Sequence, residues 1–478
     1  MLTIKRFLPS SAAILLAFQS ALTPLSAAES DQGAVAIGSR VEMFIDDWLI
    51  DASRSRGGVS LQLQTPMKRE IVLVTDKPWE GPDSAYFTVF QDGPLVRLYY
   101  RGIVPSGDAS AGQVTCYAVS TDGIHFTRPN LGLVEFDGSK ENNIIYRGIE
   151  AHNFAPFRDA NPAAKLEERY KALAGIQSKL CAFVSPDGLH WKKLQTEPVM
   201  TKGAFDSLNL SFWDEQTQNY RCFSRNFDGG MRAIQSCTST DFVHWTDPVP
   251  NRYTKNAPKE HFYTNGTRPC PGAPHIYLSF PKRFVPERKK FADYKEMGVS
   301  DAVFMSSRDG VNWDRTFLEA WVRPGRDDRN WTQRSNMPAW GIVQLDPAEF
   351  SMYITEHYEW PDHRLRRLTV RRHGFASVHA GAAGGEFTTR PVTFTGRNLI
   401  LNYATSAAGA VQVEVQDEQG KPIEGRTLAD MPPLFGDELD AVVSWKSGSD
   451  LASLTGKPVR FRFVLKDADL FALRTGMP

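Results

Sequence analysis

Apolar and polar residues alternate in short runs along most of this chain, and the runs come in sets. One set holds 85–90, 95–100 and 114–119. Later sets hold 170–174, then 219–223 with 232–236, then 276–280 with 302–305, and last 340–344, 351–356 and 365–370. A two-residue period over runs of this length predicts strands. No long stretch keeps a 3.6-residue period, so helices are expected to be short and few.

The first four sets share a turn. It reads Ser120-Thr121-Asp122-Gly123 up to Phe126, Ser185-Pro186-Asp187-Gly188 up to Trp191, Ser239-Thr240-Asp241 up to Trp245, and Ser307-Arg308-Asp309-Gly310 up to Trp313. A unit that recurs about every 60 residues predicts a radial array such as a propeller. The Asp can close an Asx turn, Gly supplies positive φ, and the aromatic returns to the core. These Asp residues therefore serve the turns and receive no chemical role. The fifth set lacks the turn. The expected fold is all-β: a five-bladed β-propeller over 29–375, followed by a β-sandwich over 376–478, where short alternating strands follow a small-residue stretch at 381–385.

Residues 1–28 predict a cleavable signal peptide. Lys5 and Arg6 form a basic start, 12–18 is a short apolar run, and Ser26-Ala27-Ala28 is a small-residue cleavage site. The expected location is secreted or periplasmic. No run is long enough to span a bilayer, so no membrane insertion is expected. Lys plus Arg and Asp plus Glu both number 55. That balance argues against nucleic acid as a partner. The five Cys do not form a disulfide framework. Cys222 and Cys237 flank Asp228-Gly229-Gly230 evenly and are expected to face each other across a hairpin, which leaves their pairing open.

In a propeller the innermost strands converge on a central channel, so polar residues at their starts are the candidates for chemistry. Glu80 and Asp83 precede the first unit, His152 and Asn153 the second, with Asp159 close behind. Asp206 and Asn209 precede the third unit, Glu260, His261 and Asn265 the fourth, and Arg334 and Asn336 the fifth. Two carboxyl groups held in one partly dry pocket can take the two roles of glycoside cleavage, proton donor and nucleophile or base. Glu260 is the expected acid, Asp83 the base or nucleophile, and Asp159 and Asp206 their support. Glu80, His152, Asn153, Asn209, His261, Asn265, Arg334, Asn336 and Glu356 are expected to bind substrate hydroxyls or an anionic substituent. Trp79, Phe154, Tyr263, Trp331 and Trp340 could pack on sugar faces. There is no His/Cys metal-ligand spacing, phosphate-binding Gly loop or Gly-x-Ser-x-Gly motif. No cofactor and no metal are expected, although a structural calcium in the channel stays open.

Taken together, the repeated turns, the five polar openings and the trailing strands resemble the secreted five-bladed propeller glycosidases of glycoside hydrolase families 32 and 43. The segments 45–50 and 459–470 resemble family-32-like bacterial proteins. The resemblance implies one carboxylate on each of the first three blades, which by position suggests Asp83, Asp159 and Asp206, with Glu260 as a rival acid. Arg158-Asp159 is similar to the Arg-Asp-Pro element of family 32, with Ala160 and Asn161 standing before Pro162. The Trp-Met-Asn-Asp-Pro-Asn and Glu-Cys elements of that family are absent. The resemblance thus implies a glycoside hydrolase acting on a poly- or oligosaccharide. The alternatives are a carbohydrate-binding propeller without catalysis and a purely structural ring.

Overall fold

The computed structural model describes residues 33–103, 112–254 and 256–477. The expected signal peptide lies outside them. Among the described residues the secondary structure is strands with five short 3-10 turns and no α-helix. No helix there is long and apolar enough to cross a membrane.

Three four-stranded antiparallel sheets follow one another. They are Ala85–Asp92, Leu95–Ile103, Gln113–Ser120 and Ile144–Arg147; then Ala155–Arg158, Tyr170–Ala174, Cys181–Ser185 and Lys192–Lys193; then Leu210–Asp214, Asn219–Asp228, Met231–Ser239 and Val249–Pro250. A fourth sheet has the order Arg252–Tyr253, Asn312–Asp314, Met305–Ser307, Ala273–Ser279, Arg268–Cys270. Beside it lies a small sheet of His261–Phe262, Lys282–Val285 and Val299–Ala302. The fifth sheet pairs Glu349–Glu356 with Arg364–Arg371 and completes itself with Met67–Val74 from far upstream.

The expected inner strand at 340–344 is present only as isolated bridges. Trp340 donates its N–H to Phe87 O and accepts from Val89 N, both at 2.8 Å, while Val343 bridges Ser351, so the run touches the first sheet as well as the fifth. Gly341 makes this approach feasible, because a Cβ there would meet Val89 O at 2.0 Å. The expected run 302–305 also divides. Ala302 ends a strand of the small side sheet, and Met305 begins one in the fourth sheet.

The repeated turns act as joints between sheets. In each, the Asp Oδ1 accepts from the two N–H groups that follow it at +2 and +3, and the Ser Oγ accepts from the residue after the Asp. That residue has positive φ throughout: Gly123 68°, Gly188 79°, Phe242 67° and Gly310 76°. Each turn packs on the sheet before it. Gly188 O accepts from Tyr99 OH, Asp309 O accepts from Arg221, and the Phe242 ring rests against Phe157. The first turn docks on the last sheet, with Gly123 O accepting from Tyr353 OH at 2.8 Å.

The remaining strands form one hydrogen-bonded set of eight. Ala376–Thr389, Val392–Phe394, Asn398–Asp417, Asp437–Val442 and Val459–Gly476 are joined there by Val35–Gly38, Glu42–Met43 and Ile50–Leu63. The leading strands, expected within the 29–375 part, therefore complete the C-terminal sheet. Ile37, Phe44, Leu49 and Ile50 share a core with Phe387, Phe461 and Phe463. Cys222 and Cys237 lie directly opposite each other, as the hairpin predicted, and both thiols are free.

Candidate active site

The starts of the inner strands are stitched to one another by buried amides. Asn153 donates to Gly175 O and Ser207 O at 2.7 and 2.6 Å, and also to Phe205 O. Asn209 donates to Phe205 O and Ser207 O, both at 2.9 Å. Asn265 reaches Leu208 O and Phe223 O, while Asn336 reaches Ser300 O and Asn330 O. All four residues are buried. Their amides were expected to bind sugar hydroxyls. Instead they satisfy main-chain carbonyls, of their own loops and, for Asn153 and Asn265, of neighbouring units, which would otherwise be costly to bury. These asparagines shape the mouth without lining it.

What lines the mouth is a group of tyrosines, cations and a few carboxylates. Tyr86 sits at φ 57°, where a bulge breaks the register between Ala85 and Thr88. An aromatic residue at positive φ is a strained placement of the kind that gathers at functional sites. Its hydroxyl lies 3.5 Å from Tyr263 OH. Arg101 stacks on Tyr86 at 4.8 Å, donates to Asp83 O at 2.9 Å and approaches His152 Nδ1 at 3.3 Å. Arg334 donates to Tyr358 OH at 2.7 Å. Lys282 is wholly buried under Tyr263 and donates to Gln333 O at 2.6 Å.

Asp206 and His152 form the closest acid–imidazole contact here, with Nε2 and Oδ1 2.5 Å apart. Arg225 stands 3.7 Å from the other oxygen of Asp206. Burial raises the Asp206 carboxyl, but the His152 hydrogen bond and the fields of His152, Arg225 and Arg101 outweigh it, so the group is held below the usual range. Burial, then Arg101 and Arg334, push His152 down against the pull of Asp206. The ring presents Nε2 to Asp206, while its Nδ1 lies 2.9 Å from Gln113 Oε1 and 3.3 Å from Arg101. The Asp206 side chain keeps 54% of its surface exposed, so its outer face is open to a ligand.

Asp83 and Glu359 stand at another part of the same rim. The Glu359 N–H donates to Pro82 O at 3.0 Å, and the Glu359 carboxylate pairs with Lys295 at 3.3 Å and accepts from Tyr294 OH. Tyr358, next to Glu359, feels the charge of Asp83. Tyr86, Arg101, Arg225, Arg232, Lys282, Tyr358 and Glu359 were not among the expected site residues. Only the positions of Tyr86 at a strand start and of Tyr358-Glu359 after a strand end offered a hint.

Other expected site residues are engaged elsewhere. Glu80 is buried in the first sheet, where it accepts from Arg128, Lys77 N and Tyr100 OH. Both oxygens of Glu260 are taken, by Arg283 at 2.8 Å and Arg315 at 2.7 Å. His261 accepts from Arg232 N at the edge of the mouth. Glu356 is buried among Lys68, Arg364 and Arg366. Asp159 follows its inner strand, at the end away from His152, paired with Lys171 at 2.7 Å and accepting from Tyr220 OH. There it borders a cavity of about 810 Å³ with Asp214, which is held by Arg221 and Tyr277. The two strand-borne carboxylates of that cavity are thus already neutralised internally, and acid–base chemistry is better served at the strand starts. Among the described residues no group of three or more His, Cys, Asp or Glu could hold a metal ion.

No family model matches the chain, and no curated protein matches it. Solved structures similar to it include a glycoside hydrolase, at 13% identity and TM-score 0.45 over 64% of this chain and 92% of the other. A β-1,2-mannobiose phosphorylase from Listeria innocua is similar at 13% identity and TM-score 0.43, over 66% and 98%. An exo-β-1,3-galactanase from Phanerochaete chrysosporium is similar at 10% identity and TM-score 0.38, over 85% and 100%.

Proposed function

We propose that this chain is a glycoside hydrolase working at the mouth of a five-bladed β-propeller, with a β-sandwich behind it. The blade reading is supported by turns that dock each sheet on its predecessor and the first on the last. The chemical reading is carried by Asp206: a half-exposed carboxylate, kept ionised by His152 and Arg225, on a rim that also bears Asp83. Glycosidic cleavage needs one ionised and one protonated carboxyl group on either side of the bond.

In this reading Asp206 is the nucleophile, or the base that activates water. Asp83 donates the proton to the leaving oxygen. That reverses the expected assignment, in which Asp83 was the base and Asp206 its support. Glu260 and Asp159 are left out because each is committed to an internal ion pair. His152 orients Asp206, Arg334 and Arg101 bind substrate, and the buried rings of Tyr86, Tyr263 and Tyr358 hold those cations in place. The basic start and apolar run of residues 1–28 support export from the cytoplasm.

New reducing ends from a panel of oligosaccharides provide the test. Asp206→Asn and Asp83→Asn should each slow hydrolysis at least about 100-fold, with unfolding temperatures unchanged. Hydrolysis that survives both substitutions overturns the assignment. Glycan binding by the unsubstituted chain, with no new reducing ends, would favour a carbohydrate-binding propeller without catalysis.

A further inference from the structure

Several buried cations elsewhere in this fold have carboxylate partners. Lys171 has Asp159 at 2.7 Å, Arg315 has Glu260 at 2.7 Å, and Arg128 has Glu80 at 2.8 Å. At the mouth this pattern fails. Arg101, Arg225, Arg232, Lys282 and Arg334 converge around Tyr86 and Tyr263. Among the described residues only Arg225 has a carboxylate within ion-pair distance, Asp206 at 3.7 Å. Lys282 Nζ lies 3.9 Å from the centre of the Tyr263 ring, and the guanidinium carbons of Arg232, Arg225 and Arg334 lie 5.4, 5.6 and 5.8 Å from it.

Like charges packed this closely repel, and burial sharpens the repulsion. The ring faces offset part of it. Burial, with Arg334, Arg232 and Arg225 nearby, pushes the Lys282 ammonium well below its ordinary value. Donors are also left over: the Nε atoms of Arg101, Arg232 and Arg334 are buried without a hydrogen-bond partner. Arg101 itself is only 4% exposed. Unspent guanidinium donors around one open carboxylate suit a ligand that brings its own negative charge.

We infer that the mouth recognises a sugar carrying an anionic substituent, a uronate carboxylate or a sulfate ester, docked among Arg225, Arg232 and Arg334 beside Tyr263. The inference rests on the carbohydrate reading of the same mouth. Both substituents present oxyanions to guanidinium forks, which bind them with two parallel hydrogen bonds. Arg225 faces Asp206 as well, so the charged sugar is the one at the cleavage point rather than a remote unit.

The test is calorimetric binding to the full chain carrying Asp206→Asn, which uncouples recognition from turnover. Three oligosaccharides of equal length serve as probes: neutral, uronate-bearing and sulfated. At least one anionic probe should bind about 10-fold or more tightly than the neutral one, and its advantage should shrink between about 50 and 500 mM salt. The tighter anionic probe identifies the substituent. Arg232→Met and Arg334→Met should each cost the anionic probe about 10-fold and the neutral probe under about 3-fold. Equal binding of all three probes, or equal losses on all of them, overturns the inference. The salt dependence needs no arginine variant, so it decides even where a variant fails to fold. A chain that binds charged glycans but releases no reducing ends loses the hydrolase reading and keeps this one. A chain that cleaves neutral glycans and shows no preference for charge does the reverse.

Discussion

Asp314 lies close to Asp46 and Asp47 with its carboxyl pushed up to about 6, first by burial, then by the charge of Asp46, with Asp47 adding to it. Thr316 compensates in part, its N–H donating to Asp314 at 2.8 Å and its side chain adding a second hydrogen bond. In an unfolded chain the same group titrates near about 4. Below that pH both states are protonated and its contribution to stability is whole. The contribution is lost as pH climbs from about 4 to about 6, because the unfolded chain ionises first. Asp314→Asn keeps the acceptor for Thr316 and removes the charge. It should raise unfolding free energy at pH 7 by about 1–3 kcal/mol and change it little near pH 4. Urea melts at the two pH values check this, and equal shifts at both would rule out an ionic cause. At this scale residue types were legible but their directions were not. The asparagines at the strand starts were visible as a set, yet a buried amide answers to the nearest bare carbonyl, and sequence does not say where that carbonyl lies. Arg158-Asp159 was visible as a motif, yet it stands at the far end of its strand from His152. Of the mouth arginines only Arg334, at a strand start, was legible, because Arg101, Arg225 and Arg232 come from second and third strands and reach inward only through the side-chain length.

Turns that serve both as strand connections and as joints between sheets must satisfy two demands, and glycine meets both. At Gly188 the backbone has φ 79°, and a Cβ would also meet Tyr99 OH at 2.7 Å and the Arg97 guanidinium at 2.9 Å. Gly229 has φ 57° with nothing within 4 Å. Gly229→Ala should therefore cost only the backbone term, about 1 kcal/mol, while Gly188→Ala should cost that plus the loss of docking, about 2–4 kcal/mol. Urea midpoints measured side by side separate the two; equal costs would mean that the turn does not carry the joint. The carboxylate of the same turn titrates oppositely to Asp314. Burial raises Asp187, but the His190 and Leu189 N–H groups, the His190 ring and Ser185 outweigh it and hold it at about 2. Its contribution is whole above about pH 4 and is lost as pH falls towards 2. These elements were the most legible part of the chain, because hydrogen bonds two or three residues apart are local. Phe242 shows the limit: at the glycine position of the third turn it takes the same φ and spends its ring on Phe157 and Tyr220.

At the scale of the molecule the two ends of the chain hold each other. Met67–Val74 completes the fifth sheet, and the three strands before it complete the C-terminal one. Long-range pairings of this kind leave no local signature, which is why the leading strands read as part of the segment 29–375. They also tie together the two parts that the sequence divides at 375. Without the strands after it, the chain would leave Ile50–Leu63 without its partner Ala376–Thr389 and return Ile37, Phe44, Leu49 and Ile50 to water. Burying such side chains is worth about 1.5–3 kcal/mol each, so the four together approach the whole net stability of a typical domain, about 5–15 kcal/mol. A chain ending at 375 should therefore aggregate, or bind hydrophobic dye as a loosened species, while the full chain melts in one cooperative transition. Gel filtration and near-UV circular dichroism distinguish the outcomes. A soluble, monomeric 1–375 product with native tertiary signal would mean that the sheets before 376 stand alone and that the N-terminal strands are merely draped on the C-terminal sheet. If instead the truncated chain fails and is rescued by adding residues 376–478 in trans, the two parts are one folding unit, and the mouth at the strand starts depends on a sheet that contributes none of its residues.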